Sequence, residues 1–379
     1  MKKINWFAAL ALIAFSPLYA REDPELAHEC TSWMVFSDFT GNNTHILHKN
    51  RDSKTRNIAV YLSPAGAKRK WIALGTASTN AGVNSSGLAG AMNSGETTPD
   101  APNGKDKKST PAMLEVILNS CDTAAEGVAM LQKLLKDGDY YHGAKGSTFL
   151  LLDTREGFIC EFTAKHFSCQ RYHNTYAFRA NIWQNPGMQA YARGTYKAYL
   201  HSSARAFIAF SELNRAMDKH GRITVRDSMD LSRHAKLPSG DYPNRSVCGK
   251  TTCSASTIEI DRQYPDVLSS GYFTLGHPRH TVYLPVPICA EKLLPSMGTY
   301  NWADAAFARL DKSGFDAPVP EEWLKFEVDS MAEYAKAREQ ARRLLDRGKR
   351  AEAVKLLNDT AFKIWREAEA LLGIKPAGK

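Results

Sequence analysis

Two neighbouring segments organise this chain: Cys30-Thr31-Ser32-Trp33-Met34-Val35-Phe36 and His45-Ile46-Leu47-His48-Lys49-Asn50-Arg51-Asp52. The polar run Thr40-Gly41-Asn42-Asn43 lies between them and is typical of a turn. The pattern predicts a β-hairpin whose second strand returns Lys49 and Asp52 to the side of Cys30.

A cysteine that becomes the first residue of a mature chain carries a nucleophile and a base on one residue. A free thiol has a pKa of about 8.5 and an α-amine has one of about 8, so the amine can take the thiol proton. It can later return that proton to a leaving amine. Our hypothesis is that the chain is cut before Cys30 and that the Cys30 thiolate attacks the substrate. The alternative is that Cys30 is half of a disulfide in an exported protein.

Residues 1–20 have the features of a secretory signal peptide. Lys2 and Lys3 precede an apolar core, and Ala20 is a small residue at the predicted cut. Residues 21–29 then form a short propeptide, which either attack of the Cys30 thiol on the preceding carbonyl or a host protease would remove. No later segment has the ~18 consecutive apolar residues that a membrane span needs. We therefore expect a periplasmic or secreted protein without stable membrane insertion.

The net charge of +9 is dispersed along the chain. There is no arginine-rich run and no nucleic-acid-binding motif, so nucleic acid is not an expected partner. The surplus is interpreted as a solvated surface that favours anionic substrates or an anionic envelope.

Seven cysteines in an exported chain leave one thiol unpaired if the others oxidise. Spacing does not fix the connectivity. One pairing compatible with it leaves Cys30 as the free thiol and joins Cys160 to Cys169, Cys248 to Cys253 and Cys121 to Cys289.

Hydrophobic periodicity divides the remaining chain into strands and helical blocks. Strands are predicted on both sides of two helices in 111–137 and of a helical block in 195–236, which has Phe207, Phe210 and Leu213 on one face. Such grouping favours layered sheets over alternating βαβ units. Residues 320–373 read as a helical hairpin that breaks at Gly348.

Residues 30 to about 290 resemble the N-terminal-nucleophile (Ntn) cysteine hydrolases. Within that group they resemble the choloylglycine hydrolase and penicillin V acylase family and the acyl-coenzyme A:isopenicillin N acyltransferase family. The resemblance rests on the Cys-Thr start, Lys49-Asn50-Arg51-Asp52, the block from Asn84 to Asn93, a strand ending at Asn181, and the stretch from Asp241 to Cys248. It implies an α+β fold, the αββα four-layer sandwich, over 30–318, with a C-terminal helical hairpin in 319–379.

The resemblance also implies roles for individual residues. Cys30 would be the nucleophile, and Asp52 would orient its α-amine. Asn93 and Asn181 would stabilise the oxyanion of the tetrahedral intermediate. Arg245 would match a family arginine near the nucleophile.

Lys49 departs from the family pattern, because the choloylglycine hydrolases have arginine there. Lysine keeps the charge and loses the planar fork, and it still favours a thiolate nearby. A dipeptidase family with a similar Cys-Thr start fits the stretch from His48 to Asp52 about equally well.

The expected activity is cleavage of a linear amide, or transfer of its acyl group, through a thioester at Cys30. Substrate candidates are N-acyl amino acids, β-lactam side-chain amides, conjugated bile acids, acyl-homoserine lactones and short peptides. An apolar acyl pocket is expected, with Trp33, Trp71 or Trp183 at its walls. The alternatives are a dipeptidase and a non-catalytic, disulfide-bonded binding protein. No metal or cofactor is expected, since H-E-x-x-H and C-x-x-C are absent. The sequence leaves open whether the protein forms a homo-oligomer.

Overall fold

The computed structural model describes residues 30–76, 78–101, 107–138, 140–141, 143–235 and 246–375. The predicted signal peptide, the predicted propeptide and Arg245 lie outside these ranges. The strands are β1 Cys30–Val35, β2 Thr44–Asp52, β3 Ala59–Leu62, β4 Trp71–Gly75, β5 Thr79–Asn84, β6 Ala89–Thr97, β7 Lys108–Ser109, β8 Tyr140–Tyr141, β9 Lys145–Leu152, β10 Gly157–Phe162, β11 Phe167–Tyr172, β12 Tyr176–Arg179, β13 Thr252–Asp261, β14 Ser270–Thr274 and β15 Leu284–Pro287. The helices are α1 Ser37–Thr40, α2 Thr110–Ser120, α3 Ala124–Lys136, α4 Tyr196–His220, α5 Val225–Ser232, α6 Pro265–Leu268, α7 Asn301–Ser313, α8 Glu321–Asp346 and α9 Arg350–Leu371.

Most strands belong to two antiparallel sheets. Sheet 1 has the order β12-β1-β2-β13-β14-β15, and sheet 2 has the order β11-β10-β9-β6-β5-β4-β3. The predicted hairpin is confirmed: β1 pairs with β2 so that Cys30 lies opposite Arg51 and Trp33 lies opposite His48. The connection contains the short helix α1, which ends at Gly41 in the left-handed conformation (φ 66°).

Strand alternation sends the β1 side chains to two different cores. Met34 faces sheet 2 and packs with Leu150 and Ile72 in the main hydrophobic cluster. Trp33 and Val35 face the opposite way and pack against α4 and α5. On the far side of sheet 2, α2 and α3 cover a third cluster. The layers are therefore helix, sheet, sheet, helix, which confirms the expected αββα sandwich.

The C-terminal helices α8 and α9 form the predicted hairpin around Gly348 and share the main cluster with sheet 1. The Tyr334 hydroxyl lies 2.8 Å from Ser270 Oγ on β14. Glu327, fully buried on α8, pairs with Arg233 at 2.6 Å. These contacts attach α8 firmly to the sandwich. Among the described residues, no helix is both long and apolar enough to cross a membrane.

Three details differ from the sequence predictions. The helical block in 195–236 is interrupted at Gly221 (φ 65°), and a capping box at Thr224 starts a new helix, α5. Leu213 is buried, but Phe207 and Phe210 are 65% and 42% exposed. Residues spaced by three positions drift around a helix, so Phe207 and Leu213 point about 120° apart. Strand β6 continues past Asn93 to Thr97, so Asn93 lies within the strand.

No disulfide bond joins any of the seven cysteines in the structure, and the predicted pairs stay predictions. Cys160 and Cys169 lie directly opposite each other on β10 and β11, with their sulfur atoms 2.6 Å apart. Cys248 lies 3.7 Å from the Nε2 atom of His277. The first predicted pair is therefore placed face to face.

Candidate active site

Cys30 begins β1 at the end of sheet 1, on the face that packs toward sheet 2. Its side chain is 5% exposed, and its backbone nitrogen donates to Asn181 Oδ1 at 2.7 Å. A cavity of ≈ 380 Å³ opens beside it, which is a size suited to a small molecule. The described lining of this cavity is Cys30, Lys49, Arg51, Asp52, Met92, Ser94, Pro111, Gly143, Ala144 and Lys145.

Lys49 is buried between the two sheets and interacts with Cys30. Its ammonium group donates to Asn93 Oδ1 at 2.9 Å, and the same oxygen accepts from Ser32 Oγ at 2.8 Å. Burial lowers the pKa of Lys49, whereas the charge of Cys30 and a hydrogen bond to it raise the pKa. Burial has the larger effect, so the pKa of Lys49 is lowered overall, and the interaction with Cys30 favours the charged form of the lysine.

Asn181 follows β12, and its side chain hydrogen-bonds to Cys30, Arg205 and Ser94 at the mouth of the site. Its Oδ1 accepts from the Cys30 nitrogen and from Arg205 Nη2 at 2.8 Å, while its Nδ2 donates to the Ser94 carbonyl at 2.8 Å. The oxygen of this carboxamide thus holds the Cys30 nitrogen, and its nitrogen is directed at the backbone of β6.

Asn93 is also brought to the site, where it connects β6 to sheet 1. Its Oδ1 binds Lys49 and Ser32, and its Nδ2 points at the carbonyls of Arg179 and Ala180 at 3.4 Å. Asn181 therefore contacts Cys30 directly, whereas Asn93 is linked to the site through Lys49 and Ser32. The amide nitrogens of both asparagines are directed at backbone carbonyls.

Asp52 ends β2 and is 5% exposed. Its Oδ1 accepts from Thr252 Oγ1 at 2.5 Å, and its Oδ2 lies 3.8 Å from Arg205 Nη1. Arg205, on α4, therefore contacts both Asp52 and Asn181. Sequence analysis missed it, although one signal was present: this arginine has no acidic residue three or four positions away on its helix.

His48 and Asn50 lie on the opposite face of β2 and support the strand from behind. The His48 ring stacks on Trp33 with centroids 3.8 Å apart, and its Nε2 lies 2.9 Å from Asn50 Oδ1. Burial lowers the pKa of His48 to about 3, so this ring is neutral. The Asn50 amide donates to the Ser232 and Val247 carbonyls and joins β2 to the end of α5.

The expected aromatic wall around Cys30 is wrong for Trp33 and Trp71. Trp33 lies three positions after Cys30 on β1 and so faces α5, where its Nε1 donates to Ser228 Oγ at 3.0 Å. Trp71 belongs to the core under α2 and α3, and the described cavity lining does not include Trp183. The described lining of the cavity includes three cations instead, Lys49, Arg51 and Lys145.

Among the residues that the structure describes, no group of three or more histidine, cysteine or acidic side chains is placed to hold a metal ion.

The fold and site together define a four-layer sandwich with a cysteine at the start of a central strand. Two solved structures of the conjugated bile acid hydrolase from Clostridium perfringens, a mutant and a variant, are similar to this chain at 12% and 10% identity. Each has a TM-score of 0.45 and covers 68% of this chain and 92% of that chain. The penicillin V acylase from Agrobacterium tumefaciens is similar at 17% identity and a TM-score of 0.38, over 64% of this chain and 82% of that one. No family model and no curated protein sequence matches this chain.

Proposed function

We propose that this chain is an exported cysteine amidohydrolase or acyltransferase whose nucleophile is Cys30 after removal of residues 21–29. The surroundings of Cys30 carry the proposal. The backbone nitrogen of Cys30 binds Asn181 Oδ1, its side chain interacts with Lys49, and the residue lines a cavity of ≈ 380 Å³. Nucleophile, prospective base and substrate space thus meet at one residue.

In the proposed reaction, the α-amine of Cys30 takes the thiol proton and the sulfur attacks the amide carbonyl. A carbon–sulfur bond forms and the carbonyl oxygen becomes an oxyanion, for which Asn93 and Asn181 are the proposed donors. The α-ammonium then gives its proton to the leaving nitrogen as the carbon–nitrogen bond breaks. Water or an acceptor amine finally attacks the thioester and regenerates the thiol.

The positions of Asp52 and Arg205 support the required geometry of the amine. Asn181 Oδ1 accepts from the Cys30 nitrogen, and Arg205 Nη2 holds that oxygen at 2.8 Å. Asp52, bonded to Thr252, sits 3.8 Å from Arg205 Nη1. This chain of contacts fixes the amide oxygen that would orient a free α-amine toward the sulfur.

The proposed maturation uses the same chemistry on the chain itself. The Cys30 thiol would attack the Glu29 carbonyl, the Cys30 nitrogen would leave with the thiol proton, and water would hydrolyse the resulting thioester. The test is intact-mass analysis of periplasmic protein, for wild type and Cys30→Ala. A wild-type mass that begins at Cys30, with residues 21–29 retained in Cys30→Ala, supports self-cleavage; loss of those residues in both indicates a host protease.

The activity itself is tested by release of free amine from N-acyl amino acids and from unblocked dipeptides. Hydrolysis of the acylated substrates by wild type, lost in Cys30→Ala, supports the proposal. Activity on unblocked dipeptides alone indicates the dipeptidase. A mature protein that starts at Arg21, with Cys30 inert to iodoacetamide and no activity, contradicts the mechanism and favours the binding protein.

A further inference from the structure

The described lining of the cavity beside Cys30 carries more positive than negative charge. It includes the cations Lys49, Arg51 and Lys145 and one carboxylate, that of Asp52. That carboxylate accepts from Thr252 and lies beside Arg205, and Lys49 interacts with Cys30 and Asn93. Arg51 is therefore the lining cation for which no described partner is recorded, and Lys145 adds a second positive charge to the same cavity.

Arg51 has the better-defined position of the two. It lies directly opposite Cys30 in the β1–β2 pairing, and directly opposed residues of an antiparallel pair project from the same face with Cβ atoms about 5 Å apart. Both residues also line the same cavity, so a ligand bound there can reach both side chains. Lys145 begins β9 in sheet 2 and lines the same cavity from the facing sheet.

The guanidinium of Arg51 lacks an anionic partner within the part of the chain that the structure describes. No ion pair joins it to a described carboxylate, and its buried Nε has no hydrogen-bond acceptor there. A buried donor without an acceptor is unfavourable, and a guanidinium is a planar fork that matches a carboxylate with two parallel hydrogen bonds. The geometry of the donor and the charge of the cavity favour the same ligand chemistry.

We infer that Arg51, with Lys145 facing it, binds a carboxylate that the substrate carries close to the scissile amide. This inference rests on the proposed function and narrows it. It favours N-acyl amino acids and peptides with a free carboxylate over uncharged amides such as acyl-homoserine lactones. Arg51 is then a specificity-determining residue, since it contacts the substrate's charge and not the reacting bond.

The first test does not need amidase activity. Iodoacetate and iodoacetamide alkylate a thiol through the same type of carbon atom. Iodoacetate carries a carboxylate where iodoacetamide carries a neutral amide. The labelling rate of Cys30 is measured with each by peptide mass spectrometry, and the ratio of the two rates is compared among variants. Any change in thiol reactivity cancels in this ratio, so the ratio reports the attraction of the anion.

The expected result is a ratio about 10- to 100-fold lower in Arg51→Met than in wild type, which corresponds to one lost charge-assisted hydrogen bond. Arg51→Lys should recover part of the ratio, and Lys145→Met should lower it in the same direction. Arg155→Met is the matched control, because Arg155 is exposed at the opposite end of β9. An unchanged ratio in Arg51→Met, or failure of both reagents to label Cys30, overturns the inference.

The second test uses substrate pairs. In the first pair, N-phenylacetylglycine has a carboxylate on the amine side of the amide and N-phenylacetylglycinamide has none. In the second pair, glutaryl-p-nitroanilide has a carboxylate on the acyl side and butyryl-p-nitroanilide has none. In one of the two pairs, Arg51→Met should raise the KM of the charged substrate about tenfold or more and change the KM of the neutral substrate less than about twofold. The pair that responds shows whether the carboxylate lies on the amine side or on the acyl side of the amide. Equal effects on charged and neutral partners overturn the inference. If no substrate is hydrolysed but the alkylation ratio still depends on Arg51, the result contradicts the proposed function and supports the anion site.

Discussion

The side-chain oxygen of Asn181 lies 2.7 Å from the backbone nitrogen of Cys30, across 151 positions of sequence. The pairing of β12 with β1 explains this proximity, because Asn181 follows β12 and Cys30 starts β1. The contact uses the oxygen of the carboxamide, while its nitrogen donates to Ser94. The amine-holding role and the oxyanion role of Asn181 therefore belong to different atoms and can be separated by substitution.

Asn181→Ala should lower kcat about 10- to 100-fold, because the Cys30 nitrogen loses a hydrogen-bond acceptor. Asn181→Asp keeps an acceptor oxygen and removes the amide donor, so we expect a smaller loss of kcat. Steady-state kinetics of the mature protein on one N-acyl amino acid checks both. Equal losses in the two variants would show that the amide nitrogen, and hence the oxyanion, is what matters.

Arg205→Met should reduce the free energy of unfolding by about 3 kcal/mol or more, because it removes a buried cation that lies 3.8 Å from the buried Asp52 carboxylate. Urea unfolding monitored by tryptophan fluorescence measures this change. The control is Arg215→Met, an exposed cation on the same helix paired with Glu212, where the expected change is within about 0.5 kcal/mol.

Adding Asp52→Asn to Arg205→Met should restore part of the lost stability, since the unpaired charge is removed. Strictly additive effects of the two substitutions would contradict a direct interaction between these side chains.

His48 should make the fold sensitive to acid. Burial lowers its pKa from 6.5 to about 3. Between these two pH values the His48 ring is therefore protonated in the unfolded chain and neutral in the folded chain. Stability is then lost as the pH falls from 6.5 toward 3, by about 1.4 kcal/mol per pH unit for this residue. His48→Gln should flatten the curve of unfolding free energy against pH by that slope.

The buried residues His45 and His277, whose pKa values burial lowers to about 4 and about 3, should keep part of the acid sensitivity in the His48→Gln variant. His220→Gln, at the exposed end of α4, serves as the control. An unchanged slope in His48→Gln would show that the ring is protonated in the folded protein.

Cys160 and Cys169 should form a disulfide in protein exported to an oxidising compartment, because they are directly opposed and their sulfurs are 2.6 Å apart. The expected mass under non-reducing conditions is lower by two hydrogens, and a peptide joining the two residues should appear after digestion. Cys160→Ser is the matched variant and should release a labelled thiol at Cys169. Recovery of both residues alkylated without reduction would contradict the pair.

Sequence patterns predicted the parts of the site that depend on local alternation and strand order. The β1–β2 hairpin follows from two alternating segments around a polar turn, and the positions of Asn93 and Asn181 followed from motif resemblance. The same alternation places Trp33 on the opposite face of β1 from Cys30, so the sequence already excluded Trp33 from the wall of the cavity. Periodicity misplaced Phe207 because steps of three drift around the helix.

Other residues could not be predicted, because their roles arise from contacts between distant segments. Arg205 reaches Asp52 and Asn181 only because α4 packs on the outer face of sheet 1. Thr252 meets Asp52 through the β2–β13 pairing, 200 positions apart. The cationic character of the cavity likewise requires β2 and β9 to face each other, which neither segment encodes alone. The roles proposed for Arg245 and for the leader lie outside the described residues and stay predictions.

Strand β15 forms an outer border of sheet 1, and its two prolines lack the amide hydrogens that would pair with a further strand. Helix α9 packs on this border, and Trp365 Nε1 donates to the Pro285 carbonyl at 2.7 Å. The C-terminal hairpin therefore works as a cover that prevents another chain from extending the sheet there. Removing α9 would uncover that border and the apolar surface beneath it, so a truncated protein should aggregate when concentrated, even with the catalytic residues intact.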